Sequence, residues 1–179
     1  MNPKTTKSKA MHAFITYPSI TVESQGPDEE VILVLRAHPV TQISWILNVF
    51  GLLIILLAAN FFLPAILQPN QILFLNIFWL CFVFAYIIFN FLSWFFNVGV
   101  VTNERIVDID FYDIIYKEVT EARINKVEDV TAKSGGFFQS FFNYGDVFVQ
   151  TAGTEKNIEF LKIPQPAEAV RIINDLLPH

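Results

Sequence analysis

The chain has 179 residues, of which 53% are hydrophobic and only 16% charged, with a net charge of −5; an average globular protein carries about 25% charged residues. This balance excludes a broad nucleic-acid surface, which needs clustered Lys and Arg. The single cysteine, Cys81, excludes an intramolecular disulfide and a cysteine-paired zinc site, and reads as a small buried hydrophobe.

From the N-terminus, residues 1–27 form a polar tail carrying Lys4, Lys7 and Lys9, expected to be partly disordered. The first apolar run begins near residue 40, too late and too long for the core of a cleavable signal peptide, so none is expected. Segments 14–22 and 30–35 have strand-like composition, and 28–39 reads as an ordered strand leading into the first apolar run. Between Arg36 and Glu104 there is no Lys, Arg, Asp or Glu. Two apolar runs, 43–67 and 72–96, fill that interval. Each exceeds the roughly 20 residues that cross a hydrocarbon core about 30 Å thick. They are read as transmembrane helices over 40–67 and 72–96, joined by a tight turn at Pro69 and Asn70. Pro64 is expected to kink the first helix or end it early.

Orientation follows from charge. The connection lacks Lys and Arg, whereas Arg36 and Arg105 flank the pair on the other side and act as topology anchors. The positive-inside rule then puts both chain ends in the cytoplasm. Asn48 and Asn90 fall at matching depth in an antiparallel hairpin and are expected to hydrogen-bond across it. A polar transport path is the less favoured reading, because neither helix carries an ionisable residue.

After residue 97 the pattern changes to short strands: 98–102, 106–111, 114–120, 124–130, 145–151 and 157–163, with turns at 102–105 and around Gly153. A closing helix starts at Pro166, with Ala169, Val170, Ile173, Leu176 and Leu177 on one face. The fold class is α+β: a helix hairpin plus a small bent antiparallel sheet or barrel capped by a C-terminal helix, the latter occupying 97–179.

Candidate chemistry is sparse. His12, His38 and His179 are not spaced with metal-binding partners. Asp108, Asp110 and Asp113 could hold a cation but read better as a solvated strand edge and turn. No nucleophile elbow, zinc-protease or phosphate-loop motif occurs. From residue 97 on, eight Lys and Arg face thirteen Asp and Glu, unlike the basic cluster that recognises anionic lipid, although Arg123, Lys126 and Lys133 could gather locally. Phe137, Phe138, Phe141 and Phe142 come after two glycines. They either fill one end of a small barrel or present an apolar contact to the bilayer or a partner.

The order of motifs carries a resemblance. Two apolar helices precede Thr102-Asn103-Glu104-Arg105; Ile124 to Val130 then has an acidic pair before its last Val, and Tyr144-Gly145-Asp146-Val147 comes next. Glu29 to Leu33 with Arg36 and Pro39 stands before the first helix. Together these resemble the bacterial pleckstrin-homology-like (PH-like) membrane proteins. The resemblance implies a bent antiparallel sheet capped by a helix, no catalytic residues, and plausible self-association. The resulting expectation is a non-enzymatic, membrane-anchored interaction or scaffold module at the bacterial inner membrane, without cofactor, metal or nucleic acid. Its partners would be the bilayer, a membrane-proximal protein or further copies of itself. Alternatives are an oligomeric transporter or channel accessory subunit and a lipid-headgroup-binding domain.

Overall fold

The computed structural model describes residues 13–18, 25–111, 117–153 and 156–178. Of the expected strand segments, part of 14–22 and part of 114–120 lie outside these residues, as do Asp113, His12 and His179.

Two strands precede the helices: β1 (Phe14–Thr16) and β2 (Val31–Leu35). A 3-10 turn, Pro39–Gln42, leads into α1 (Ile43–Phe62). Proline lacks the N–H that would continue the helical ladder, and α1 stops short of Pro64, which lies in a 3-10 turn over Leu63–Ala65. The second helix, α2 (Pro69–Phe96), begins at the residue expected to sit in the turn, because proline suits the first helical position. The Gln71 side chain accepts from the Gln68 backbone N–H at 3.0 Å and closes that end.

The chain then forms β3 (Val98–Thr102), β4 (Arg105–Phe111) and β5 (Lys117–Arg123). A 3-10 turn at Ile124–Lys126 takes the place of the expected start of the next strand. It is followed by β6 (Val127–Lys133), a short helix α3 (Phe137–Phe142), β7 (Tyr144–Thr151), β8 (Ile158–Pro164) and α4 (Pro166–Asn174). The strands form two antiparallel sheets, β1-β2-β3-β4-β5 and β6-β7-β8. Of the expected bent sheet or barrel, the antiparallel sheet is found and a closed barrel is not. The 3-10 turn at 124–126 breaks the ladder between β5 and β6, and the sheets stack face to face.

The order within the first sheet sets the architecture. β2 pairs with β3, Leu35 opposite Gly99 and Val34 opposite Val100. The helix hairpin is therefore inserted between two neighbouring strands of one sheet, and β1 and β2 belong to the same folded body as the strands after residue 97.

Side chains alternate across this sheet. Leu33, Leu35, Val101 and Ile106 face the second sheet, meeting Val147, Val149, Ile158 and Phe160, with Ala169 and Ile173 of α4 closing the core. Val34, Val100 and Val107 form a second cluster with Ile15 and Val31. A register shift between Val31 and Leu33 lets these two residues serve different clusters. Gly99 is required where the sheets meet: a Cβ there would lie 2.3 Å from the Phe160 ring.

At the end of the sheets remote from the helices, Arg105 holds Glu29 with two hydrogen bonds of 2.8 and 3.0 Å and reaches Glu121 at 3.1 Å. Glu29 is 4% exposed. Asn103 extends the same clasp, accepting from Glu30 N–H at 2.8 Å and donating to the Asp28 carbonyl at 3.0 Å. The turn thus ties the start of β2 to the β3–β4 connection. Arg105, expected as a topology anchor, is engaged in this ion pair.

The hairpin is pinned at two levels. Asn60 and Asn76 exchange side-chain hydrogen bonds at 2.8 and 2.9 Å, and Trp79 Nε1 donates to the Leu52 carbonyl at 3.1 Å. The expected Asn48–Asn90 bond does not form. Asn90 donates to the Tyr86 carbonyl one turn back in its own helix at 2.8 Å, while Asn48 makes a long 3.4 Å contact with the Tyr86 hydroxyl. Matching depth is not enough; both side chains must also lie on the facing stripe. Cys81 is exposed, correcting the expectation that it is buried.

Glu29→Ala leaves Arg105 held by Glu121 alone and should cost about 1–2 kcal/mol in denaturant unfolding, whereas Arg105→Ala leaves the Glu29 carboxylate buried without its partner and should cost about 3 kcal/mol. Because Arg105 holds the Glu29 carboxyl down to about 2, below its usual 4.5, wild-type stability from this pair should be complete above pH 4.5 and lost as pH falls towards 2. Asn60→Leu leaves Asn76 unpaired and should cost about 1–2 kcal/mol, whereas Asn90→Leu should cost less than about 1 kcal/mol in the same assay.

Candidate functional site

The aromatic helix α3 is built by its flanks. Gly136 adopts φ 90°, a conformation open to glycine. Asn143 stops the helix in the left-handed region at φ 50°. The Gln139 side chain folds back to accept from Gly135 N–H at 2.5 Å. At about 100° per residue the four phenylalanines fall on one arc, with Gln139 and Ser140 opposite. Phe137 and Phe141 stack at 5.9 Å, and Phe138 and Phe142 meet them edge-on at 5.8 and 5.0 Å.

Phe137, Phe138 and Phe141 are 76%, 68% and 70% exposed, and Phe142 is 37% exposed. Of the two readings of this segment, filling a barrel end is therefore overturned. Ala169 and Ile173 of α4 already close the space between the sheets, both fully buried. The four side chains face outward, away from the core.

The second feature is the junction between hairpin and sheets. His38 N–H donates to the Lys162 carbonyl at 2.7 Å, and its ring stacks on Tyr144 at 5.6 Å. Its Nδ1 accepts from Val40 N–H at 3.1 Å and caps the turn into α1. Burial holds the His38 imidazole below its usual value, in the neutral form that this cap requires. Trp94 Nε1 donates to the Ala37 carbonyl at 2.8 Å, and Arg36 lies over the Phe95 ring at 5.0 Å. Asn97 Oδ1 accepts from Phe111 N–H at 2.5 Å. Arg36, the other expected topology anchor, is thus packed into this junction.

A cleft of about 430 Å³ opens here, lined in part by Arg36, Trp94, Asp108, Asp110, Glu159 and Lys162. Burial, then the charge of Asp110, pushes the Asp108 carboxyl up to about 7, with Glu118 adding to the effect and the Ile109 backbone opposing it. Among the described residues no three His, Cys, Asp or Glu side chains converge as a metal site. The acidic pair that sequence reading placed on a solvated strand edge instead lines a cleft, a difference that strand alternation alone does not reveal.

The three basic residues that could have gathered do not. Arg123 and Lys126 lie before β6 and Lys133 at its far end, about 20 Å away at 3.3 Å per residue. Lys133 sits over the Phe148 ring at 4.8 Å.

The family model described as the bacterial PH domain matches residues 40–177, so the matched unit contains both long helices as well as strands β3 to β8 and α4. No curated protein and no solved structure matches the chain.

Asp108 offers a direct test of the cleft's electrostatics. A carboxyl whose folded value is raised contributes stability below its unfolded value, near 3.8, that is lost as pH rises through about 7. Asp108→Asn should therefore unfold at higher denaturant than wild type at pH 8, by about 2 kcal/mol, with the difference vanishing near pH 4.

Proposed function

The chain belongs to the bacterial PH domain family, and on that premise we propose that it is a membrane-anchored, non-catalytic interaction or scaffold module. The hairpin α1–α2 spans the inner membrane, and the sheets sit on the cytoplasmic face with both chain ends. Its partner is a membrane-proximal protein or further copies of itself.

The observation that carries this reading is the outward face of the hairpin. Both helices are long and apolar enough to cross a membrane, Pro39–Ala65 and Pro69–Phe96. None of the α1 residues is buried, and in α2 only Val83 is. Phe61 is 82% exposed and Phe74 is 73% exposed. The apolar helices of a soluble core would be covered by protein; these cover nothing, and water is a poor solvent for them. At 1.5 Å per residue α2 is about 42 Å long, more than the roughly 30 Å needed, so a tilt or a protruding turn absorbs the excess. The asparagines within the hairpin bond to one another, to Tyr86 or to backbone carbonyls, as suits a medium that offers no water to polar groups.

The junction supports a scaffold role. Arg36, His38, Trp94 and Asn97 fasten the hairpin to the sheets within a few residues of the helix ends. A domain held this way keeps a fixed pose at the membrane and a high effective concentration for partners in the same bilayer. The contact surface on offer to such a partner is the edge strand β5, whose Val119 is 49% exposed.

Fractionation, labelling and purification test the three parts. The chain should stay with membranes through alkaline carbonate; release into the supernatant rejects the anchor. In a Cys81→Ser background, Gln68→Cys should react with an impermeant maleimide in intact cells and Glu128→Cys only after permeabilisation. The reverse pattern rejects the orientation. Purification in mild detergent should return a stoichiometric partner or a homo-oligomer, and a bare monomer rejects the scaffold role.

A further inference from the structure

No described segment outside α1 and α2 gathers more than one exposed large apolar side chain, except α3, which has four. The position of α3 says what meets them. Tyr144, two residues beyond Phe142, stacks on His38, and two residues span at most about 7 Å of backbone. His38 in turn caps the 3-10 turn that runs into α1 and bonds to Lys162. Asn143, the residue that ends α3, accepts from Gln165 N–H at 2.9 Å, which fixes the same corner. The aromatic helix therefore lies at the end of the sheets from which the hairpin leaves. The Glu29–Arg105 clasp and the turn after Thr151 occupy the opposite end.

Resting on the reading that α1 and α2 cross a bilayer, we propose that α3 is an interfacial wedge. Phe137, Phe138 and Phe141 enter the boundary between headgroups and acyl chains of the same membrane that holds the hairpin. The occupant of this surface is lipid. A short helix with an apolar arc and a polar back lies flat in that boundary, its apolar side chains buried several ångströms deep. Residues 134–143 contain no charged residue, so nothing in the segment supplies the charged rim of a protein contact or a grip on an anionic headgroup. The wedge is accordingly insensitive to lipid charge. It gives the domain a second point of contact beside the hairpin and restrains it from tilting about the junction.

A nitroxide label reads this directly. In the full chain with Cys81→Ser, Phe138→Cys is labelled and the protein placed one copy per nanodisc of phosphatidylcholine. Collision with oxygen and with an aqueous nickel complex is then compared. The label at 138 should favour oxygen, whereas one at Glu128→Cys should favour nickel. Equal, water-like accessibility at both sites overturns the wedge. Immersion that arises only when two copies share a disc assigns the surface to a second copy and also overturns it. Immersion that requires phosphatidylglycerol replaces the wedge with headgroup recognition. Phe141→Cys repeats the measurement should Phe138→Cys fail to fold. A label at Phe78→Cys in the middle of α2 separates the two claims: if that site is water-exposed, the anchoring reading itself fails, and if it alone is immersed, only the wedge does.

Discussion

The pairing of β2 with β3 is the constraint on which the rest depends. These strands are neighbours in one sheet, yet the helix hairpin lies between them in the chain. Closing a long loop costs entropy, though the cost grows only slowly with length. Here the loop is two rigid helices whose ends return close together, so the hairpin itself brings Leu35 opposite Gly99. Sheet and hairpin are each the other's closure. This explains why β2 is buried along its whole length and why the folded body takes strands from both sides of the helices.

The two ends of the sheets are held by different physics. At the far end a buried carboxylate and a guanidinium clasp the β3–β4 turn to the segment before β2. Removing Arg105 would leave the Glu29 carboxylate unpaired in a dry site, so the pair specifies the geometry of that turn more than it adds net stability. At the near end the fastening is mainly aromatic: the His38–Tyr144 stack, the Trp94 bond to a backbone carbonyl, Arg36 over the Phe95 ring and Phe96 beside Phe111 at 5.5 Å. Such contacts keep their strength in a low-dielectric setting. Asp108 lines the cleft beside them, and its raised value is the electrostatic consequence of burying a carboxyl next to Asp110 there.

On the proposed reading the hairpin does not serve as a loose tether. A domain fastened within a few residues of the helix ends has one orientation, and α3 adds a contact at the same level. Function then depends on what this fixed surface presents to its surroundings in the plane of the membrane, with no reaction chemistry assigned to it.

Much of this was legible in the chain. The charge-free interval from Arg36 to Glu104, the apolar runs, the turn at 102–105, the strands around 98–111 and 144–164 and the helix from Pro166 all arise from local composition and spacing, because side-chain period and turn residues act locally. The resemblance to bacterial PH-like proteins rested on the order of those motifs. Three-dimensional packing decided the remainder. Asn60 rather than Asn48 pairs across the hairpin because rotation about a helix axis, not depth alone, selects partners. Arg105 meets Glu29, and β2 meets β3, across dozens of residues, where no local period reaches. The phenylalanines of α3 face outward because α4 already fills the space they could have closed. The sequence by itself determined which segments are helix, strand and apolar span; only the tertiary structure decided which of them meet and which faces stay open, because contacts between distant segments depend on the packing of the whole chain.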